Sequence, residues 1–276
     1  MGRERLGVGL GVRDEIAHAL VLHRDRIDFV EIVGEHFLDA SRERRRQLSV
    51  LAEHFPVVVH TIGLSLGSID PPDAGYLDAL ARLVREARAP WVADHICYTR
   101  AGGIDIGHLA PLPRTEEAIE ALARNARIVR DRIGVPLLLE NVAYLVDPGG
   151  EMDEAEFVAG ALDASGCDLL LDLTNLHANA TNFGYDAEAW LDRMPLERIG
   201  QVHVTGGHWS DGVLVDSHSA ATHDEVWRLL ERVAARVVVP AVLLERDEHV
   251  PPIEELLDEL DVARAALAAG EVARVA

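Results

Sequence analysis

The sequence predicts an α/β protein, a single (β/α)8 TIM barrel. Short apolar runs rich in β-branched residues alternate with longer amphipathic segments rich in Ala, Arg, Glu and Leu, and the pair recurs eight times. The length of 276 residues agrees with the roughly 250 of one such barrel. No Pro-, Gly- or Ser-rich linker and no internal repeat breaks the alternation, so residues 1–276 read as one catalytic domain.

The strands follow in order as Leu6–Val12, Phe29–Val33, Val57–Ile62, Trp91–Cys97, Pro136–Val142, Asp168–Leu173, Ile199–Thr205 and Val242–Arg246. Helical patterns occupy 13–24, 42–54, 73–88, 114–133, 153–164, 186–193, 219–235 and 252–269. Local punctuation supports the boundaries: Thr115 with Glu116 and Glu117 opens one helix, Gly134 closes it, and Pro136 starts the next strand. The run RERRR at 42–46 lies on a predicted helix and reads as a solvated face.

All 26 cationic residues are arginine, against 47 Asp and Glu, for a net charge of −21. Without lysine, Schiff-base chemistry, a pyridoxal-phosphate anchor and a Walker-type phosphate loop lack their essential residue. The charge argues against a broad nucleic-acid footprint. Cys97 and Cys167 have no CxxC spacing and read as core thiols rather than a disulfide framework. No signal-peptide stretch or membrane-length apolar window is present, so the expected location is cytoplasmic, with neither membrane nor nucleic acid as partner.

In this architecture reactive groups collect where strands end, because side chains from different strands converge there. Those positions hold His60 (VVVH), His95 (WVADH), Glu140 (LLLEN), Asp172 and Asn175 (LLLDLTN), His203 (QVHV), Asp216 and His218 (VDSH) and Glu245 (VLLER). Four carboxylates at one mouth repel unless neutralised. Only Arg100 and Arg246 stand obviously near that end. Imidazoles and carboxylates together suit two or three divalent or trivalent ions, and are too many ligands for one tetrahedral zinc. His177, five residues after Asp172, is the nearest other contender, although Asn175 returns more naturally to the same side. Glu31 and Glu35, at the end of the second strand, read either as substrate contacts or as capping, solvent-exposed groups. Asn141 and His208 are further candidates for substrate binding, and His208 with Trp209 follows Gly206-Gly207 as a mobile wall.

At these residues the chain resembles a known family, the multinuclear non-heme iron-dependent oxidative enzymes. The matching segments are VEIVGEHF (30–37), HTIGLSLGS (60–68), VADHICY (92–98), HLAPLPRTEEA (108–118), LLLENVAYL (137–145), LLLDLTNLHANATNFGYD (169–186), QVHVTGGHW (201–209), DSHS (216–219) and LLERDEHVPP (243–252). The resemblance implies a TIM barrel with two or three mixed-valent irons (Fe2+/Fe3+) and dioxygen as co-substrate. The implied reaction oxidises a ribosomally made precursor peptide, at Cys or another C-terminal residue such as Asp or Asn. Iron ligation is implied for His60, His95, Glu140, Asp172, Asn175, His203, Asp216, His218 and Glu245, with Glu140, His203 and Asp216 as the catalytic set. Many relatives carry an aromatic residue where this chain has His177, which leaves the third metal position open. Relatives often act with a partner that captures the precursor's leader, and such a partner is expected here. The competing expectation is a divalent-metal hydrolase or isomerase on a xylose-isomerase-like or apurinic-endonuclease-like barrel. A metal-binding protein without turnover is the third.

Overall fold

The computed structural model describes residues 4–275. The described strands are β1 (Gly7–Gly11), β2 (Val30–Val33), β3 (Val57–His60), β4 (Val92–His95), β5 (Cys97–Ala101), β6 (Ile104–Pro111), β7 (Leu137–Glu140), β8 (Asp168–Asp172), β9 (Ile199–Val204), β10 (Gly206–Ser210), β11 (Val213–Ala220) and β12 (Ala241–Leu244). The helices are α1 (Ala17–Leu22), α2 (Glu35–Leu38), α3 (Arg42–His54), α4 (Ala74–Ala87), α5 (Glu116–Ile133), α6 (Glu154–Ser165), α7 (Leu173–Phe183), α8 (Ala187–Leu191), α9 (Asp224–Ala234) and α10 (Ile253–Val275). Eight strands hydrogen-bond in the order β1-β12-β9-β8-β7-β4-β3-β2 and close into a barrel, the predicted fold class. Two antiparallel hairpins, β5-β6 and β10-β11, stand apart from it.

The chain clusters into two compact units, one running up to Glu31 and resuming at Leu170, the other Ile32–Leu169. Within the second unit β3 pairs parallel with β4, and β4 with β7 in the register His95 to Glu140. All four residues of each of these three strands are buried. Near-continuous apolar runs such as VVV and LLL are what a strand covered on both faces requires. Helices α3, α4, α5 and α6 start where side chains of Ser41, Asp73, Thr115 and Asp153 accept amide hydrogens three residues on. Gly134 and Gly166 end α5 and α6 in the left-handed conformation that glycine adopts without strain.

Within the first unit β1 pairs with β2 and β12, and β12 with β9. Here the structure departs from the predicted elements. Helix α7 begins directly after β8, capped by Asp172, whose Oδ1 accepts the Asn175 amide at 2.7 Å. Asn175 and His177 therefore ride on a helix rather than a strand end. The pattern at 219–235 reduces to α9, because 219–220 belong to β11. Asp216 and His218 lie on that strand, not in a loop. RERRR sits on α3 with Arg42, Arg45 and Arg46 exposed, and both cysteines are free and buried.

Candidate metal centre

In the Ile32–Leu169 unit, β3, β4 and β7 end in His60, His95 and Glu140. Glu140 Oε2 stands 3.2 Å from His60 Nε2 and 3.4 Å from His95 Nε2, and the two imidazole centroids are 4.7 Å apart. All three side chains are buried. Two donors each about 2.1 Å from one ion, at tetrahedral or octahedral angles, stand roughly 3.0–3.4 Å from each other. The observed separations match, so the donors fit a divalent ion.

Two carboxylates support this set. Asp94, fully buried beside His95, accepts the Thr61 hydroxyl at 2.7 Å and the amides of His95 at 2.7 Å and Leu64 at 3.2 Å. Burial, together with the Glu35 charge, lifts its carboxyl well above the usual range despite those bonds. Glu35 turns Oε1 to the amides of Ile62 and Gly63, both at 2.8 Å, and to the Tyr76 hydroxyl at 2.5 Å. That oxygen holds the segment leaving His60. Asn141, expected to meet substrate, is buried directly after Glu140 and lines a small apolar cavity with Tyr144 and Phe157.

In the other unit the expected donors are Asp172, Asn175, His203, Asp216, His218 and Glu245. Glu245 Oε2 lies 3.3 Å from His203 Nδ1 and 3.5 Å from His218 Nδ1. His218 also reaches Asp216 Oδ1 at 2.8 Å through Nε2 and Asp247 Oδ2 at 2.9 Å through Nδ1. His218, Glu245 and Asp247 form a further trio that matches a metal site. Behind His203, its Nε2 edge faces the Gln201 amide at 2.8 Å and Glu31 Oε1 at 3.2 Å, and Gln201 Nε2 reaches Glu31 Oε2 at 2.6 Å. Glu31 is thus buried inside this network. Partners on one ring edge hold the imidazole with Nδ1 toward Glu245.

Five carboxylates, Glu31, Asp172, Asp216, Glu245 and Asp247, crowd this unit's centre. Burial and the neighbouring Asp216 push Asp172 up to about 7. Burial alone would depress His218, but Glu245 and Asp216 overcome it and raise the imidazole well above its ordinary value. Burial alone would raise Glu245; the facing His218, His203 and Arg13 hold it well below the carboxylate range. The neutralising arginine is Arg13, which follows β1, bonds Asp247 through Nε at 2.8 Å and reaches Glu245 at 3.1 Å. Arg246 instead bonds Glu259 at 2.7 Å, because adjacent residues leaving a strand point to opposite sides. Arg13 and the imidazolium of His218 against five carboxylates still leave a surplus that bound cations would balance.

Arg13, Asp94, Gln201 and Asp247 were not among the expected site residues. Gln201 and Asp247 each sit two residues from an expected donor, the spacing that returns to the same side of an extended chain. His177 meets His223 edge-on at 5.9 Å, and burial followed by that neighbour lowers its pKa. His208 and Trp209 project from β10, exposed, with His208 Nδ1 2.8 Å from Ser217 Oγ.

Fold and side chains together define a closed eight-stranded α/β barrel with buried histidine–carboxylate groups that could hold metal ions. D-psicose 3-epimerase from Clostridium cellulolyticum superposes with a TM-score of 0.58 at 11% identity, over 98% of each chain. Endonuclease IV from Thermus thermophilus gives 0.56 at 20% identity, over 96% of this chain and 99% of that one. Such identities establish the fold alone. Residues 7–268 match the family of RiPP precursor modification enzymes MbnB/TglH/ChrH, and the chain belongs to it. A UPF0276 protein of Caulobacter vibrioides is 36% identical over 266 residues, 96% of this chain and 95% of that protein. One from Streptomyces avermitilis is 41% identical over 270 residues, 95% of this chain and 55% of that longer protein.

Proposed function

We infer that this protein oxidatively modifies a ribosomally synthesised precursor peptide, using two or three iron ions and dioxygen. Buried histidine–carboxylate donor sets at barrel strand ends, in a chain of the RiPP-modifying family, carry this reading. His60, His95 and Glu140 would hold one ion; Asp172, Asn175, His203, Asp216, His218 and Glu245 would hold the rest. Iron held there would supply the redox chemistry that couples dioxygen reduction to oxidation of the peptide, at Cys or at a C-terminal Asp or Asn.

The chain's own residues have separable tasks. Glu140 presents one oxygen to both His60 and His95, which suits a ligand that bridges or recruits metal. Gln201 and Glu31 fix the ring of His203 from behind. Asp216 and Glu245 hold the proton on His218 in the metal-free chain, so metal binding must displace it. A separate partner protein would present the leader.

The test is metal analysis with Mössbauer spectra on protein purified without added metal, followed by a search of the neighbouring reading frames for a short Cys-, Asp- or Asn-bearing precursor and oxygen uptake with that peptide. At least two irons per chain and peptide-dependent uptake are expected. Stoichiometric zinc with activity on abasic DNA, or divalent-metal sugar isomerisation, would overturn the reading in favour of a hydrolase or isomerase.

A further inference from the structure

Within the Ile32–Leu169 unit a cavity of about 330 Å³ opens beside the segments that leave His60 and His95. Its lining includes Leu64, Ser65, Ser68, Asp70, Asp73 and Arg100. The volume falls at the lower end of the roughly 300–1,000 Å³ of small-molecule sites.

Three features converge on Arg100. The β5-β6 ladder breaks register between Tyr98 and Arg100, and such a bulge re-aims the side chains beside it. Ser65 holds φ at +54°, a strained value for a residue other than glycine. In that conformation its hydroxyl accepts the amides of Thr99 at 2.9 Å and Arg100 at 3.0 Å, pinning loop to hairpin. The loop is also held from behind: buried Asn125 donates to the carbonyls of Leu66 at 2.9 Å and Ser68 at 2.7 Å. The wall is pre-formed.

Arg100 is half-buried, and its guanidinium donates to one neutral acceptor, the Gly63 carbonyl at 3.1 Å. Among the described residues no carboxylate lies within ion-pair distance of it, in a protein of net charge −21. Asp70 and Asp73 stand on the exposed rim, with oxygens accepting the amides of Gly102 at 2.9 Å and Tyr76 at 2.7 Å. Exposed Ile69 and Ile104 belong to the same loop and hairpin, at 79% and 69% accessibility. A half-buried guanidinium that makes no ion pair among the described residues, although Asp105 stands opposite it across β5-β6 and Asp70 and Asp73 stand on the rim, matches a carboxylate carried on a peptide.

We propose that this cavity is a carboxylate-recognition subsite for the peptide substrate, with Arg100 as its specificity-determining residue. The inference rests on the peptide-modifying reading and names the group that the peptide presents. The carboxylate comes from an Asp or Glu side chain or from the peptide's C-terminus.

Three probes separate these sources: acetyl-Gly-Ala-Asp-amide, acetyl-Gly-Ala-Asn with a free C-terminus, and acetyl-Gly-Ala-Asn-amide, titrated by NMR into the protein as purified. At least one acidic probe should bind and the neutral one at least about tenfold more weakly, the factor expected for a charge-assisted pair. Arg100→Gln should erase that preference, whereas Arg124→Gln, on α5 where the side chain donates to the Ile69 carbonyl at 3.1 Å, should change it less than about twofold. Preference for the amidated Asp probe or for the free C-terminus supports the subsite and identifies the source. Equal binding of all three probes, no binding at all, or an unchanged preference in Arg100→Gln overturns it. If Arg100→Gln fails to fold, Arg100→Lys, which keeps charge but loses the fork, should weaken acidic probes about threefold, and no change overturns the proposal. Because binding rather than turnover is read, an Arg100-dependent preference without peptide-dependent oxygen uptake would remove the oxidative reading and leave the subsite standing.

Discussion

Replacing Tyr76 with Phe removes one oxygen and leaves the ring in place. In the native chain that oxygen donates to Glu35 Oε1 at 2.5 Å, while the same carboxylate oxygen takes the amides of Ile62 and Gly63. Burial and then the Glu35 charge drive the phenol pKa far upward, so it remains a donor at every accessible pH. A hydrogen bond to a charged group contributes about 1.5–3 kcal/mol. Glu35 is half-buried and keeps two amide donors, so the lower part of that range applies, about 2 kcal/mol. For a chain of this length that is a melting-point drop of about 3 °C. Urea unfolding measures the loss, and hydrogen exchange at the Ile62 and Gly63 amides localises it, since both should exchange faster as the carboxylate loosens. A loss below about 0.5 kcal/mol with unchanged exchange at both amides would refute the claim that Glu35 organises the segment leaving His60.

Three further outcomes follow from the same geometry. Glu140→Gln removes the charge facing His60 and His95 and should lower metal content measured by elemental analysis, with peptide-dependent oxygen uptake lost; full metal content and activity would exclude Glu140 as a ligand. In the metal-free chain, Asp172 and His218 both have folded pKa values above their unfolded ones. For each, stability is fully present below the unfolded value and is lost as pH rises through the folded one, so urea midpoints should be lower at pH 8.5 than at pH 6. A higher midpoint at pH 8.5 contradicts this. Gly206→Ala would drive a Cβ into the carbonyls of Ala220 and Ala221. About 2–3 kcal/mol of destabilisation is expected by urea unfolding, and a neutral variant would show that the base of the β10-β11 hairpin yields easily.

The barrel was legible because each of its strands is a buried apolar run, and VVVH, VADH and LLLE carry their donors at the end. Helix α7 was hidden by its composition: LTNLHANATNF is rich in residues with modest helix propensity, and the helix forms on the Asp172 cap and the burial of Leu173, Leu176 and Ala180. The hairpins were hidden for another reason. Ile104 and Ile106 alternate with Asp105 and Gly107 as a strand should, yet nothing local says that a strand stands outside the barrel. Arg13 escaped notice because its partners Glu245 and Asp247 lie more than 230 residues away in sequence. Arg246, adjacent in sequence to a donor, faces elsewhere.

Each hairpin leaves and rejoins the chain through paired neighbours, Cys97 with Pro111 and Gly206 with Ala220. Paired residues of this kind have Cα atoms only about 5 Å apart. A hairpin can therefore lengthen, shorten or be exchanged for that of a relative through a two-point graft, while the strand register beneath stays as it is. In β5-β6 such a change leaves every expected metal donor in place, whereas β10-β11 carries Asp216 and His218 and is free to vary only where those two residues are kept.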